Sequence, residues 1–149
     1  MPRRKIPLRI QEQVRQRADY LCEYCHTSEI WQYVRFTIDH IHPLVHGGVD
    51  MLDNLALTCF HCNRRKADHT AANDPVTGEL VSLFHPRQHR WADHFIWSAG
   101  GVMILPQSAI GRATVALLEL NRARILHIRW ADAIVGRHPP ATDPVQTES

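Results

Sequence analysis

Four cysteines fall as two matched pairs, Cys22-Glu23-Tyr24-Cys25 and Cys59-Phe60-His61-Cys62, in a chain of 149 residues. That pattern suits one tetrahedral zinc ion held by four thiolates better than it suits disulfides in a reducing compartment. Either pair alone would also read as a redox-active Cys-x-x-Cys, but a matched second pair argues against that. The length fits one compact domain with modest extensions, and 44% hydrophobic with 21% charged residues is an ordinary globular balance. A core this small cannot hold an irregular loop rigidly by burial alone, so a structural zinc would supply the missing stiffness.

No run of eighteen apolar residues occurs, and Met1-Pro2-Arg3-Arg4-Lys5 leads into a mixed segment rather than an apolar signal core. No membrane partner and a cytoplasmic location are therefore expected. The formal charge of +2 permits nucleic acid without demanding it. Basic residues are nonetheless grouped, at Arg3-Arg4-Lys5, read as a solvated tail, and at Arg64-Arg65-Lys66.

Apolar residues at helical spacing between Pro7 and Tyr20 predict an amphipathic helix that delivers the first cysteine pair. Val34 to Asp39 reads as a strand ended near Pro43, Gly47-Gly48 as a turn, and Asn54 to Thr58 as a second strand. Asn63 to Ala72 holds helix formers before Pro75. Further on, Glu79 to Phe84 alternates like a strand, and Trp91 to Leu105 suggests one or two more around Gly100-Gly101. Ser108 could cap a helix that is periodic over Ala113 to Asn121, and a last helix is expected from Ile125 to Ile134. The expected organisation is a core over 1–75, an α+β extension over 76–137 packed on it, and a disordered tail over 138–149.

Between the cysteine pairs lie Ile38-Asp39-His40-Ile41-His42-Pro43, Gly47-Gly48 and Asn54-Leu55, and Asn63 follows the second pair directly. These are groups that phosphodiester hydrolysis needs. Histidine titrates near neutrality and can take a proton from water. A hard divalent ion, Mg²⁺ or Mn²⁺, would neutralise the phosphoryl and departing oxygens, and it prefers carboxylate and carboxamide oxygen ligands. Asp39 and Asn63 offer that kind of oxygen.

The string Cys-x2-Cys, Asp-His-Ile-x-Pro, Gly-Gly, Asn-Leu and Cys-x2-Cys-Asn-x2-Lys resembles the HNH endonuclease family, in its zinc-containing branch with a ββα-metal, treble-clef-like core. The resemblance covers Cys22 to Lys66 and corresponds to an H-N-N variant, because many members carry histidine where Asn63 stands. It implies His40 as general base, Asp39 and Asn63 as ligands of the catalytic divalent ion, and Asn54 as the catalytic-site residue that braces the loop carrying the base. It also implies Cys22, Cys25, Cys59 and Cys62 as structural zinc ligands. The expected fold is thus α+β, a ββα-metal core with an N-terminal helix and a C-terminal strand and helix extension.

The function so implied is metal-dependent hydrolysis of DNA, by nicking or, through a homodimer or two encounters, double-strand cleavage. Arg64, Arg65 and Lys66 would follow the second ligand along a helix and contact phosphates. His42 and His61 are read as supporting positions near the site. The rival reading is a non-catalytic zinc module that binds nucleic acid or a protein, and a third is a zinc-dependent redox sensor. Trp91, Trp97 and Trp130 are read as packing residues rather than base-stacking platforms.

Overall fold

The computed structural model describes residues 5–141 and 143, so Arg3, Arg4 and most of the expected tail lie outside the described residues. Helix α1 spans Leu8–Arg17 and buries Val14 and Arg15. It ends earlier than its apolar periodicity, because Asp19 and Tyr20 take positive φ (53° and 60°) and turn the chain into the first cysteine pair. Its basic side chains tie it to the rest of the molecule. Arg15 donates from Nε to Glu29 (3.2 Å) and from Nη2 to the Phe36 carbonyl (2.7 Å), while Arg17 donates to the carbonyls of Leu52 and Leu55.

Strands β1 (Thr37–His40) and β2 (Leu55–Thr58) form a two-stranded antiparallel ribbon with Asp39 opposite Ala56 and His40 opposite Leu55. All four residues of β2 are buried, which places this strand at the centre of the molecule. Helix α2 (Phe60–Lys66) follows at once, completing a ββα unit in a mixed α+β protein.

The helix expected from Asn63 to Ala72 is corrected at both ends. Cys59 caps α2, its Sγ accepting from the Cys62 N–H, so the helix starts earlier. It stops at Lys66 because Ala67 takes a φ of 47°. Ala71–Asn73 is instead strand β3, paired with β4 (Leu80–Ser82). Asp74 locks the intervening turn by accepting from the Val76 N–H and the Thr77 hydroxyl, the local competition that favours turn over helix.

Beyond the hairpin come α3 (Trp91–His94), the β5–β6 ribbon (Phe95–Trp97 with Ile104–Pro106), α4 (Ala109–Leu118) and α5 (Ala123–Ile134). Ser108 caps α4 as expected, accepting from the Gly111 N–H at 2.9 Å.

One core runs through both halves. Tyr24, Leu55 and Leu57 pack in the same cluster as Phe84, Trp91, Phe95 and Leu118. Burying each such aliphatic side chain contributes about 1.5–3 kcal/mol. A division after residue 75 therefore falls inside the β3–β4 hairpin and cuts a shared core. The described part of the tail lies against the core. His138 meets the Gly101 carbonyl, and the fully buried Asp143 accepts from Trp97 Nε1 (3.1 Å) and meets His26 Nδ1 (3.0 Å).

Candidate functional site

The Sγ atoms of Cys22, Cys25, Cys59 and Cys62 lie within 4.8 Å of one another, and all four residues are buried. Bonds of about 2.3 Å to a tetrahedral zinc would space sulfurs about 3.8 Å apart. Cys25 and Cys59 already stand at 3.8 Å. Hydrogen bonds from neighbouring thiols pull Cys25 well below the ordinary thiol range, whereas burial pushes Cys22 up. This donor set fits a metal ion.

The first cysteine loop is fastened to β2 by Glu23, whose N–H donates to the Leu57 carbonyl and whose carboxylate accepts from the Leu57 N–H. Arg87, from the C-terminal half, pairs with the other oxygen of that carboxylate. The second cysteine pair opens α2, and Asn63 follows Cys62 directly in its first turns.

Asp39, His40 and Asn63 line one open cavity of about 380 Å³, together with Pro43, Leu44 and Asp68. Successive strand residues point to opposite faces, so Asp39 and His40 would not ordinarily share a pocket. Here β1 is paired on one side only, and the cavity runs along it, lined by all four of its residues from Thr37 to His40. The His40 imidazole is 6% exposed, with Nε2 2.5 Å from Asp50 Oδ1. Asp50, in the turn after Gly47-Gly48, was not legible as a partner of His40, since neither spacing nor periodicity joins the two.

Asn54 is 8% exposed and its amide clamps the loop that follows His40. Its Oδ1 accepts from the His42 N–H at 2.8 Å, and its Nδ2 donates to the carbonyls of His42 (3.0 Å) and Val49 (2.9 Å). The double glycine belongs to this clamp. Gly47 holds a φ of 91°, and a Cβ on Gly48 would stand 1.8 Å from the His42 carbonyl oxygen.

The basic triplet does not act as a unit. Arg64 is exposed on α2. Arg65 is exposed too, but donates to the Leu117 carbonyl and stands 3.6 Å from Glu119. Lys66, expected with Arg64 and Arg65 to contact phosphates, is 2% exposed and turns inward. Its Nζ lies 3.1 Å from Asp39 Oδ2 and donates to the His40 carbonyl. Helical geometry explains the split, because Arg65 and Lys66 stand about 100° apart around the axis and only one faces the ribbon.

His61 bonds the Leu118 carbonyl and fastens α2 to α4, so it does not line the cavity of Asp39 and His40. The exposed His42 side chain reaches the His46 carbonyl and lines a different cavity. Tyr24, between the first two cysteines, is completely buried with no hydrogen-bond partner for its hydroxyl among the described residues. Burial, with the charge of Asp39 adding, pushes its phenol well above the ordinary range.

Residues 22–69 match the family model described as HNH endonuclease. Over this segment the chain is similar to the HNH endonuclease family. The matched segment runs from the first cysteine to just past α2, so it contains the tetrathiolate cluster and the whole ββα unit. An HNH domain points to a nuclease-type function, with nucleic acid as partner and a requirement for divalent metal. No curated protein and no solved structure matches the chain. Among the described residues no helix is long and apolar enough to cross a membrane.

Proposed function

We propose that this protein is a metal-dependent endonuclease that hydrolyses phosphodiester bonds in DNA, with zinc as the structural ion of the four cysteines. The observation that supports it most is the open cavity lined jointly by Asp39, His40 and Asn63. Asp39 and Asn63 would hold the catalytic ion, their carboxylate and carboxamide oxygens suiting Mg²⁺ or Mn²⁺. When bound, that ion neutralises charge on the phosphoryl oxygens and the departing 3′ oxygen.

His40 takes a proton from the attacking water as it approaches phosphorus in line, leaving 5′-phosphate and 3′-hydroxyl ends. Asp50 holds the imidazole through Nε2. Asn54 keeps the loop after the base in place by clamping the backbone at His42 and Val49. Arg64, exposed on α2, meets a backbone phosphate.

The test compares wild type with His40→Ala on supercoiled plasmid, with and without Mg²⁺. Wild type nicks only with the ion, and the variant loses on the order of a hundredfold or more in rate. Equal nicking by both proteins refutes the mechanism. A non-catalytic nucleic-acid module is favoured by one observation, the buried ammonium of Lys66 already beside Asp39. That reading predicts DNA binding indifferent to Mg²⁺ and no nicking by wild type.

A further inference from the structure

A second cavity, about 510 Å³, is larger than the one lined by Asp39, His40 and Asn63. Lys66 lines it while its ammonium reaches Asp39, and Ile41 and His42, directly after His40, form its near wall. The far wall comes from β4 and the loop through Gln88 and His89, outside the matched HNH segment. Its volume is that of a small-molecule site, ample for a nucleobase.

The chemistry of the wall narrows the ligand. Leu83 and Phe84 supply a buried apolar floor. His85 Nδ1 accepts from the N–H groups of Arg87 and Gln88, and His89 Nδ1 accepts from the His85 N–H at 2.9 Å. A ring that accepts at Nδ1 carries its hydrogen on Nε2 and is a donor there. Burial and the neighbouring His89 lower the pKa of His85, which keeps that ring neutral.

No carboxylate lines the cavity among the described residues, so a cation has no counter-charge there. The cationic side chain among its lining residues, Lys66, is already paired, so a free phosphate has little to attract it. Neutral N–H donors and the Gln88 amide over an apolar floor suit a flat heterocycle with carbonyl oxygens.

We propose that this cavity receives an unstacked nucleobase from the strand being cut, a nucleotide or two from the scissile phosphate. The inference rests on the endonuclease reading. It makes this chain act on DNA where a base is easily extruded, as at a mismatch or in single-stranded substrate, because unstacking is cheapest there.

The test uses His40→Ala, to prevent cutting, with duplexes carrying a single 2-aminopurine scanned across the position where wild type nicks. Binding is read by anisotropy and unstacking by 2-aminopurine fluorescence. One position should brighten severalfold on binding, more so opposite a mismatch. Adding Leu80→Trp, which fills the cavity mouth from an exposed position, should remove most of the brightening per bound duplex, and Gln88→Ala should weaken it. Bound duplex with no brightening at any position overturns the cavity assignment alone, as does brightening undiminished by Leu80→Trp. Absence of DNA binding overturns both this and the endonuclease reading.

Discussion

The ammonium of Lys66 lies 3.1 Å from Oδ2 of Asp39, and both side chains are almost fully buried. This pair joins the end of α2 to the end of β1, and it neutralises one carboxylate of the cavity within the protein itself. Lys66→Met leaves that carboxylate without its buried cation. Truncating one member of a buried pair costs about 3–5 kcal/mol, so urea unfolding should show a loss of that size. Mg²⁺ should raise the melting temperature of the variant more than that of wild type. Equal Mg²⁺ shifts would mean that Asp39 takes no part in holding the ion.

Arg64 and Lys66 should differ in how they affect DNA binding. Arg64→Ala should weaken affinity and reduce the slope of log K against log salt by about 1, as loss of one phosphate contact does. Lys66→Met should leave the slope unchanged in molecules that remain folded. Binding isotherms across a salt series decide this.

Removing the metal from the four cysteines should abolish cooperative folding. Structural zinc binding in comparable small sites amounts to about 10–16 kcal/mol, as large as the whole stability of a typical domain. A strong chelator or Cys59→Ser should release zinc and flatten the thermal transition, with metal content measured alongside. A sharp transition in a metal-free sample would contradict a structural role.

Asn54→Ala removes three hydrogen bonds to the loop after His40. Leaving those partly buried backbone groups unsatisfied should cost about 1 kcal/mol. Nicking should fall by about tenfold or more, because a base held loosely loses its alignment. DNA affinity should stay at the wild-type level. Nicking assays and anisotropy on the same preparation separate the two effects.

Asp74 should make the hairpin acid-sensitive. Arg112 donates to both of its oxygens, at 2.9 and 2.7 Å, and holds its carboxyl well below the ordinary carboxylate range. A depressed folded-state value means stability present above the unfolded-state pKa of about 4 and lost progressively as pH falls below it. Wild type should therefore exceed Asp74→Asn in melting temperature at pH 7, and the gap should shrink toward pH 3. A gap independent of pH would remove the ion pair as its cause.

The cysteine cluster and the α+β fold around it could be read along the chain without any coordinates. Cysteine spacing and the Asp39-His40, Asn54 and Asn63 pattern are local, and the ββα order around them follows from periodicity and turn residues. Other features exist only in the folded molecule. Asp50 meets His40 only through the loop that Asn54 clamps. Lys66 turns inward while Arg64 stays outward because the ribbon lies on one side of α2. Ala71–Asn73 becomes strand because β4 is there to pair with it, and Asp143 is buried because His26 and Trp97 receive it. Contacts between residues far apart in the chain leave no periodic trace, since each depends on the geometry of a neighbour that forms only when the chain is folded.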